Sequence, residues 1–192
     1  MATAPKILLY NKVILYDGSE GIVKYMGEVA GKEGVIYGIE LSKGEGSNNG
    51  TYNGTTYFST KDDTANTGRF CTANKIAESS KTAESRYPFQ IGDKVMCVLP
   101  DVNCGAILRY IGIPAWSAQR KVYCGLQLCR DNGKGQGEKK GTMYFSAPKD
   151  FALYVQCISQ QIKTMETIKN ELNISAVDFD SPFDRQKLER AF

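Results

Sequence analysis

The chain has 192 residues, 42% of them hydrophobic and 23% charged, with a formal net charge of +3. This is an ordinary globular balance and excludes a chain disordered throughout. The apolar runs KILLY (residues 6–10) and ALYV (152–155) fall far short of the roughly 20 residues of a membrane helix, and no apolar signal segment follows MATAPK, so a soluble intracellular protein with no membrane partner is expected.

Taken in chain order, the first elements are short runs rich in β-branched and aromatic residues: KVILY (12–16), GIVKYM (21–26) and VIYGIEL (35–41). Glycine or Asn-Gly interrupts them every few residues, which predicts strands joined by tight turns. A glycine-rich stretch follows, GSNNGTYNGTTYFS (46–59), and then GRFCTANKI (68–76). After the small polar segment SSKTAESRYP (79–88), which reads as a linker, the rhythm returns in DKVMCVL (93–99), GAILRYI (105–111), KVYCGLQL (121–128), TMYFS (142–146) and ALYVQCI (152–158).

The second set repeats the first. GKGQGEKKGTMYFS (133–146) lies 87 residues after GSNNGTYNGTTYFS, and CGLQL (124–128) lies 87 after YGIEL (37–41). GIVKYMG (21–27) corresponds to GAILRYIG (105–112), where the offset between closing glycines falls to 85, so the intervening loop gained two residues. Two units of about 70 residues result. Five or so short strands cannot build a large sandwich, and a small closed or nearly closed barrel removes exposed edges.

The glycines Gly46, Gly50 and Gly54, and their counterparts Gly133, Gly137 and Gly141, leave two readings open. One is a long irregular hairpin loop; the other is a glycine-lined groove whose backbone amides face a ligand. A phosphate loop has little support, because neither run contains Gly-Lys-Ser/Thr opening a helix.

The six cysteines (Cys71, Cys97, Cys104, Cys124, Cys129, Cys157) form no Cys-x-x-Cys pair, and histidine is absent. Zinc-finger ligand sets and Cys–His nucleophiles therefore lack their parts, so no catalytic residue, metal or cofactor is expected and the thiols are read as buried and reduced.

The ordered motifs Gly-x-(Val/Leu)-(Lys/Arg)-Tyr-(Met/Ile)-Gly, Gly-(Ile/Leu)-(Glu/Gln)-Leu and Gly-x3-Gly-x3-Gly-x2-Tyr-Phe resemble the CAP-Gly domain of cytoskeleton-associated proteins, over residues 12–76 and 92–158. The resemblance implies a mainly β chain: two SH3-like small β-barrels in tandem, with a short C-terminal helix and tail. Domain 1 is expected over 1–78, the linker over 79–88, domain 2 over 89–160, and the helix and tail over 161–192. It also implies a non-catalytic protein that binds acidic-aromatic C-terminal tails of the Glu-Glu-Tyr/Phe type, as carried by α-tubulin and end-binding proteins, in the cytoplasm at the cytoskeleton.

Carried over by position, the family's Gly-Lys-Asn-Asp-Gly signature becomes Gly46-Ser47-Asn48-Asn49-Gly50 in the first unit, which keeps an asparagine and loses the lysine. The second has Gly133-Lys134-Gly135-Gln136-Gly137, which keeps the lysine and loses the asparagine. Phe58 and Phe145 are the phenylalanines of the two Tyr-Phe motifs. Where the family places a phenylalanine and a tryptophan, the first unit has Gly31 and Ile36, while the second has Trp116 and Tyr123 at matching places. A loop tryptophan is either a core plug or a ligand contact.

Charge divides the units in the same way. Residues 1–87 are neutral, 88–163 carry +5 and 164–192 carry −2. A basic second unit, with Arg109, Arg120, Lys121, Lys134, Lys139 and Lys140 near its motifs, suits either steering toward an acidic tail or a merely solvated face. No basic-aromatic stripe suited to stacking bases is present, and no nucleic-acid partner is expected.

Beyond the second unit, Ile162, Met165, Ile168 and Leu172 recur at helical spacing with Ser159 as N-cap, which predicts a helix docked on the second barrel. The last residues mix acids with Phe179, Phe183 and Phe192, and the terminal Phe192 carboxylate crudely resembles the tails such grooves receive, offering self-association. The main function class is thus a tubulin-associated adaptor with domain 2 as principal reader. The alternative is a signalling scaffold that binds proline-rich segments, since the second unit is also similar to the CAP-Gly domains of cylindromatosis-type deubiquitinases.

Overall fold

The computed structural model describes residues 5–43, 46–62, 65–158 and 161–172. The first unit runs β1 (Lys12–Leu15), β2 (Glu20–Gly27), β3 (Ile36–Leu41), the two-residue hairpin β4 (Thr51–Tyr52) and β5 (Thr55–Thr56), β6 (Gly68–Cys71) and β7 (Ile76–Ser80). The second runs β8 (Lys94–Leu99), β9 (Val102–Gly112), β10 (Tyr123–Leu128), the hairpin β11 (Glu138–Lys139) and β12 (Thr142–Met143), β13 (Ala152–Gln156) and β14 (Ile162–Thr164), followed by α1 (Met165–Leu172). The chain is mainly β, as its turn-punctuated strands predict.

The two units are wired alike. In the first, the antiparallel order is β7-β1-β2-β3-β6; in the second it is β14-β8-β9-β10-β13. Both have a bulge at the same place: Lys24 is the extra residue of β2 opposite β3, and Arg109 that of β9 opposite β10, while the first unit has a further irregularity where β1 meets β7. A bulge bends its strand and sharpens the twist, which curls five short strands around one core. The repeated (Lys/Arg)-Tyr and (Glu/Gln)-Leu motifs now have a physical cause. The bulged cation reaches the neighbouring strand, Lys24 Nζ to Glu40 Oε2 at 3.0 Å and Arg109 Nε to Gln127 Oε1 at 2.9 Å.

The glycine between the motif's aliphatic residues is dictated by a ring. A Cβ on Gly38 would lie 2.4 Å from the ring of Phe58, and one on Gly125 would lie 2.4 Å from that of Phe145. Each Tyr-Phe motif thus anchors the end of its glycine run on β3 in the first unit and on β10 in the second.

The units are joined by more than the linker. β2 pairs with β9 through Tyr25↔Gly112 and Met26↔Ile111, so one sheet crosses both. Four tyrosines, two from each unit, face one another across this seam: Tyr25–Tyr110 at 5.5 Å and Tyr57–Tyr144 at 6.3 Å between ring centroids. Both contacts pair repeat counterparts, so the seam has an approximate internal two-fold. Glu28 closes one side of it, its carboxylate accepting from Ser146 N–H at 3.0 Å and Ser146 Oγ at 2.6 Å.

Two boundaries move. β7 runs to Ser80, pairing Ser79 and Ser80 with Val13 and Lys12, two residues into the segment expected as linker. The helix expected to begin after Ser159 starts only at Met165. Ile162–Thr164 is instead a strand pairing with Val95–Cys97 of β8, and it covers that edge as β7 covers β1. Ile162 is buried in the core by the strand, and α1 packs on β8 and β14 through Ile168. Ser159 and the segment 173–192, with Phe192, lie outside the described residues. No helix among the described residues is long and apolar enough to cross a membrane.

None of the six cysteines is in a disulfide. Cys97, Cys104, Cys124 and Cys157 are buried and Cys71 is half-buried, but Cys129 is exposed, against the expectation that all six lie inside. Burial pushes the Cys97 thiol up to about 12 and the Cys71 thiol up to about 11. Raised thiols hold little thiolate near neutrality, and the thiolate is the nucleophile. A disulfide-exchange reagent at pH 8 is therefore expected to titrate one thiol rapidly, Cys129, the half-buried Cys71 slowly, and the buried four only after denaturation. Two or more fast thiols in the native protein would contradict this packing.

Candidate peptide-binding site

The glycine run of each unit is bolted to the strand beside it. In the first, Ser47 and Asn48 donate their N–H groups to the Gly68 carbonyl at 2.8 and 3.2 Å, and Gly68 N–H returns a bond to the Asn48 carbonyl at 2.6 Å. The Asn48 side chain turns inward, its Oδ1 accepting from Gly50 N–H at 2.9 Å. In the second, Gly133 N–H donates to Asp150 O at 2.7 Å, Lys134 N–H to Ala152 O at 2.6 Å, and Asp150 N–H to Gly135 O at 2.9 Å. Ala147 N–H meets the Gln136 carbonyl at 3.0 Å. Those backbone amides hold the loop in place and are not turned to a ligand.

Gly50 and Gly137 stand at φ +94° and +101°, and a Cβ there would lie 2.0 and 1.9 Å from the carbonyl oxygens of Phe58 and Phe145. Only glycine fits that contact. The signature glycines are thus first a packing requirement. What they provide is a rigid ledge, on which Lys134, Gly135 and Gln136 are exposed, as is Ser47 on the first, whereas Asn48 and Asn49 are half-buried.

Beside the second ledge the structure gathers an aromatic cluster. Trp116, half-buried in the loop between β9 and β10, has its ring 4.5 Å from Tyr123 of β10 and 5.6 Å from Tyr154 of β13, both edge-to-face. The Tyr154 hydroxyl donates to the Gly137 carbonyl at 2.6 Å, tying the cluster to the ledge. Lys139 Nζ sits 4.4 Å from the Trp116 ring centre and 5.6 Å from that of Tyr154. A cation over an indole face is held by the ring quadrupole.

The first unit builds the same corner with poorer material. Ile36 stands where the second unit has Tyr123, and is buried; Phe70 replaces Tyr154; Tyr52 lies 6.1 Å from Phe70 with Lys32 Nζ 4.4 Å over it. Lys32, Ile36, Phe70, Cys71 and Lys75 are among the residues around an open groove of about 340 Å³ there.

The site residues expected from sequence therefore separate. Trp116 and Tyr123 come together beside Gly133–Lys134–Gly135–Gln136–Gly137. Phe58 and Phe145, 3% and 0% exposed, form a floor under each site and present no surface to a ligand. Tyr154 was missed in the second unit, where Lys139 was named only among the basic residues near the motifs, and Tyr52, Phe70 and Lys32 were missed in the first. The repeat register could have found Tyr154, since Phe70 pairs with Gly38 and Tyr154 with Gly125. Of the other basic residues, Arg109 is spent on Gln127, and Arg120 and Lys121 face a cleft between the units.

Gly137→Ala meets both a carbonyl oxygen and a left-handed backbone, so it is expected to destabilise by about 3 kcal/mol or more. Gly135→Ala, at φ +78° with open space around its Cβ, should cost only about 1–2 kcal/mol. Thermal unfolding of the two variants checks the ranking; equal losses would refute the ledge contact.

Residues 10–76 match the family model of the CAP-Gly domain, about a third of the chain. The first unit, with the glycine ledge and the aromatic corner beside it, is thus the part of the chain that matches a CAP-Gly domain; domains of that family are non-catalytic binding modules of cytoskeleton-associated proteins that receive protein C-terminal tails such as those of tubulin.

Proposed function

We propose that residues 89–164 form a second module of the same kind, and that the chain is a microtubule- or tubulin-associated adaptor whose second unit is its principal reader of acidic-aromatic C-terminal tails. The observation that carries this is the Trp116–Tyr123–Tyr154 cluster capped by Lys139 at the edge of the glycine ledge. The identical strand order, the shared bulge and the repeated glycine–ring contact support the kinship of the two units.

A tail ending Glu-Glu-Tyr or Glu-Glu-Phe brings a ring and several carboxylates. The ring packs on the open edge of the Trp116–Tyr123 pair, while carboxylates meet Lys139 and the exposed Lys134. In the first unit Ile36 offers no aromatic edge, and the Asn48 amide oxygen is already engaged by its own loop, which supports a weaker or merely spacing role. Tails of α-tubulin and end-binding proteins have the required chemistry, and a cytoplasmic place at the cytoskeleton follows from them. Self-association through Phe192 belongs to the same chemistry.

The test is a titration of a peptide ending Glu-Glu-Tyr, and of the same peptide lacking the tyrosine, followed by the fluorescence of Trp116, the single tryptophan. Binding is expected to need the tyrosine and to weaken as salt rises. Lys134→Ala and Lys139→Ala should each weaken it about fivefold, the worth of roughly 1 kcal/mol for a part-exposed ion pair. If neither peptide changes the emission, in the full chain or in one lacking residues 188–192, tail reading by the second unit fails. Proline-rich peptides then become the ligands to try.

A further inference from the structure

We propose that the cleft between the two units at Ser59 and Arg120 is a separate carboxylate site, one that takes a glutamate or aspartate side chain from an acidic segment of a partner protein. It lies apart from both glycine ledges and does not depend on their reading tails.

The internal two-fold shows which ligand the site is built for. On one side of the seam the N–H and hydroxyl of Ser146 clamp a carboxylate, that of Glu28, at 3.0 and 2.6 Å. Ser59 is the counterpart of Ser146, each following its Tyr-Phe motif, and Ile113 is the counterpart of Glu28. The second side therefore has the clamp without the acid. Among the described residues no hydrogen bond engages Ser59 N–H or Oγ; instead a cleft of about 120 Å³ opens there, with Tyr10, Ser59, Ile113, Pro114, Ser117 and Arg120 in its walls. At roughly 30 Å³ per water, that space takes a carboxylate with a short aliphatic stem.

A neighbouring tyrosine marks the same asymmetry. Tyr25 donates its hydroxyl to the Glu28 carbonyl, whereas its counterpart Tyr110 has a buried hydroxyl with no protein partner among the described residues.

Charge agrees with the geometry. No Asp or Glu is among the described residues lining this cleft. Lys24 also lines it but is engaged by Glu40, which leaves Arg120 as the cation available to an incoming acid. Tyr10 and Arg120 are shared with the adjoining groove of about 620 Å³, where Arg86 and Lys121 add positive charge beside Tyr87 and Phe89. An acidic segment with its glutamate in the Ser59 clamp can thus continue along a basic, part-aromatic path between the units.

The experiment is an amide-resolved NMR titration of the full chain with the peptide acetyl-Glu-Glu-Glu-amide, which has no aromatic residue and so does not address Trp116. The Ser59 amide proton is expected to move downfield and saturate, with an apparent affinity at least tenfold lower in Arg120→Gln. Ile113→Glu, which copies Glu28 into the second unit, is expected to place the Ser59 amide at the shifted position without peptide and to abolish further response. A silent Ser59 amide, or one that responds equally in wild type and Arg120→Gln, overturns the proposal. So does an amide already shifted in the peptide-free protein and unmoved by peptide, which would assign the cleft to the chain's own acidic C-terminal segment.

Discussion

Everything at the candidate sites depends on a phenylalanine ring lying flat on a glycine. Phe58 on Gly38 and Phe145 on Gly125 fix where each glycine run must end, because a side chain in place of either glycine would strike the ring at 2.4 Å. Gly50 and Gly137 then close on the carbonyl of the same phenylalanine, and Tyr154 ties its hydroxyl to Gly137. Ring, strand and ledge form one packed stack, and what a ligand meets is the top of it. The signature glycines permit close packing, and the close packing holds Lys134 and the Trp116 corner at a defined distance from each other.

The seam obeys a second constraint, the burial of aromatic hydroxyls. Tyr57 and Tyr144 accept from the backbone N–H groups of Ala30 and Ala115 at 3.0 and 3.2 Å, equivalent bonds in the two units. Burial pushes Tyr25 and Tyr110 well above the usual phenol range, so both remain neutral throughout the physiological span. An interface built of neutral hydroxyls and rings keeps its packing where exposed ion pairs would be screened by salt. The two sides of the seam differ at one corner: Glu28 holds Ser146 on one, whereas Ile113 occupies the corresponding place on the other.

Much of this was legible in the sequence. The 87-residue echo and the turn-punctuated β-branched runs gave the two units and their strands, because both signals are local. Their shared sheet was not legible: KYMG and RYIG read as ordinary strand ends, and nothing in either predicts that they pair with one another. The fifth strand β14 was read as helix because Ile162, Met165 and Ile168 fit a period near 3.6, and three residues of strand leave too little alternation to compete. At the candidate site, Trp116 and Tyr123, named by position in the repeat, lie together beside the ledge, whereas Phe58 and Phe145, named by motif membership, are buried beneath it. Lys139 was legible only as one charge in a basic run, since only folding brings its hairpin over an indole.

The continuous sheet through β2 and β9 gives the molecule a property that a flexible tether would lack. Two modules on a loose linker sample many separations, and a partner with two tails is captured at whatever spacing it offers. Here the distance between the ledges is set by strand pairing and tyrosine packing, so the pair acts as a fixed-gauge caliper. On the proposal that both units read tails, a partner whose tails stand at the matching interval engages both arms without further loss of chain entropy, while one with another interval engages a single arm, so that selection among otherwise identical tails falls to their arrangement in the partner.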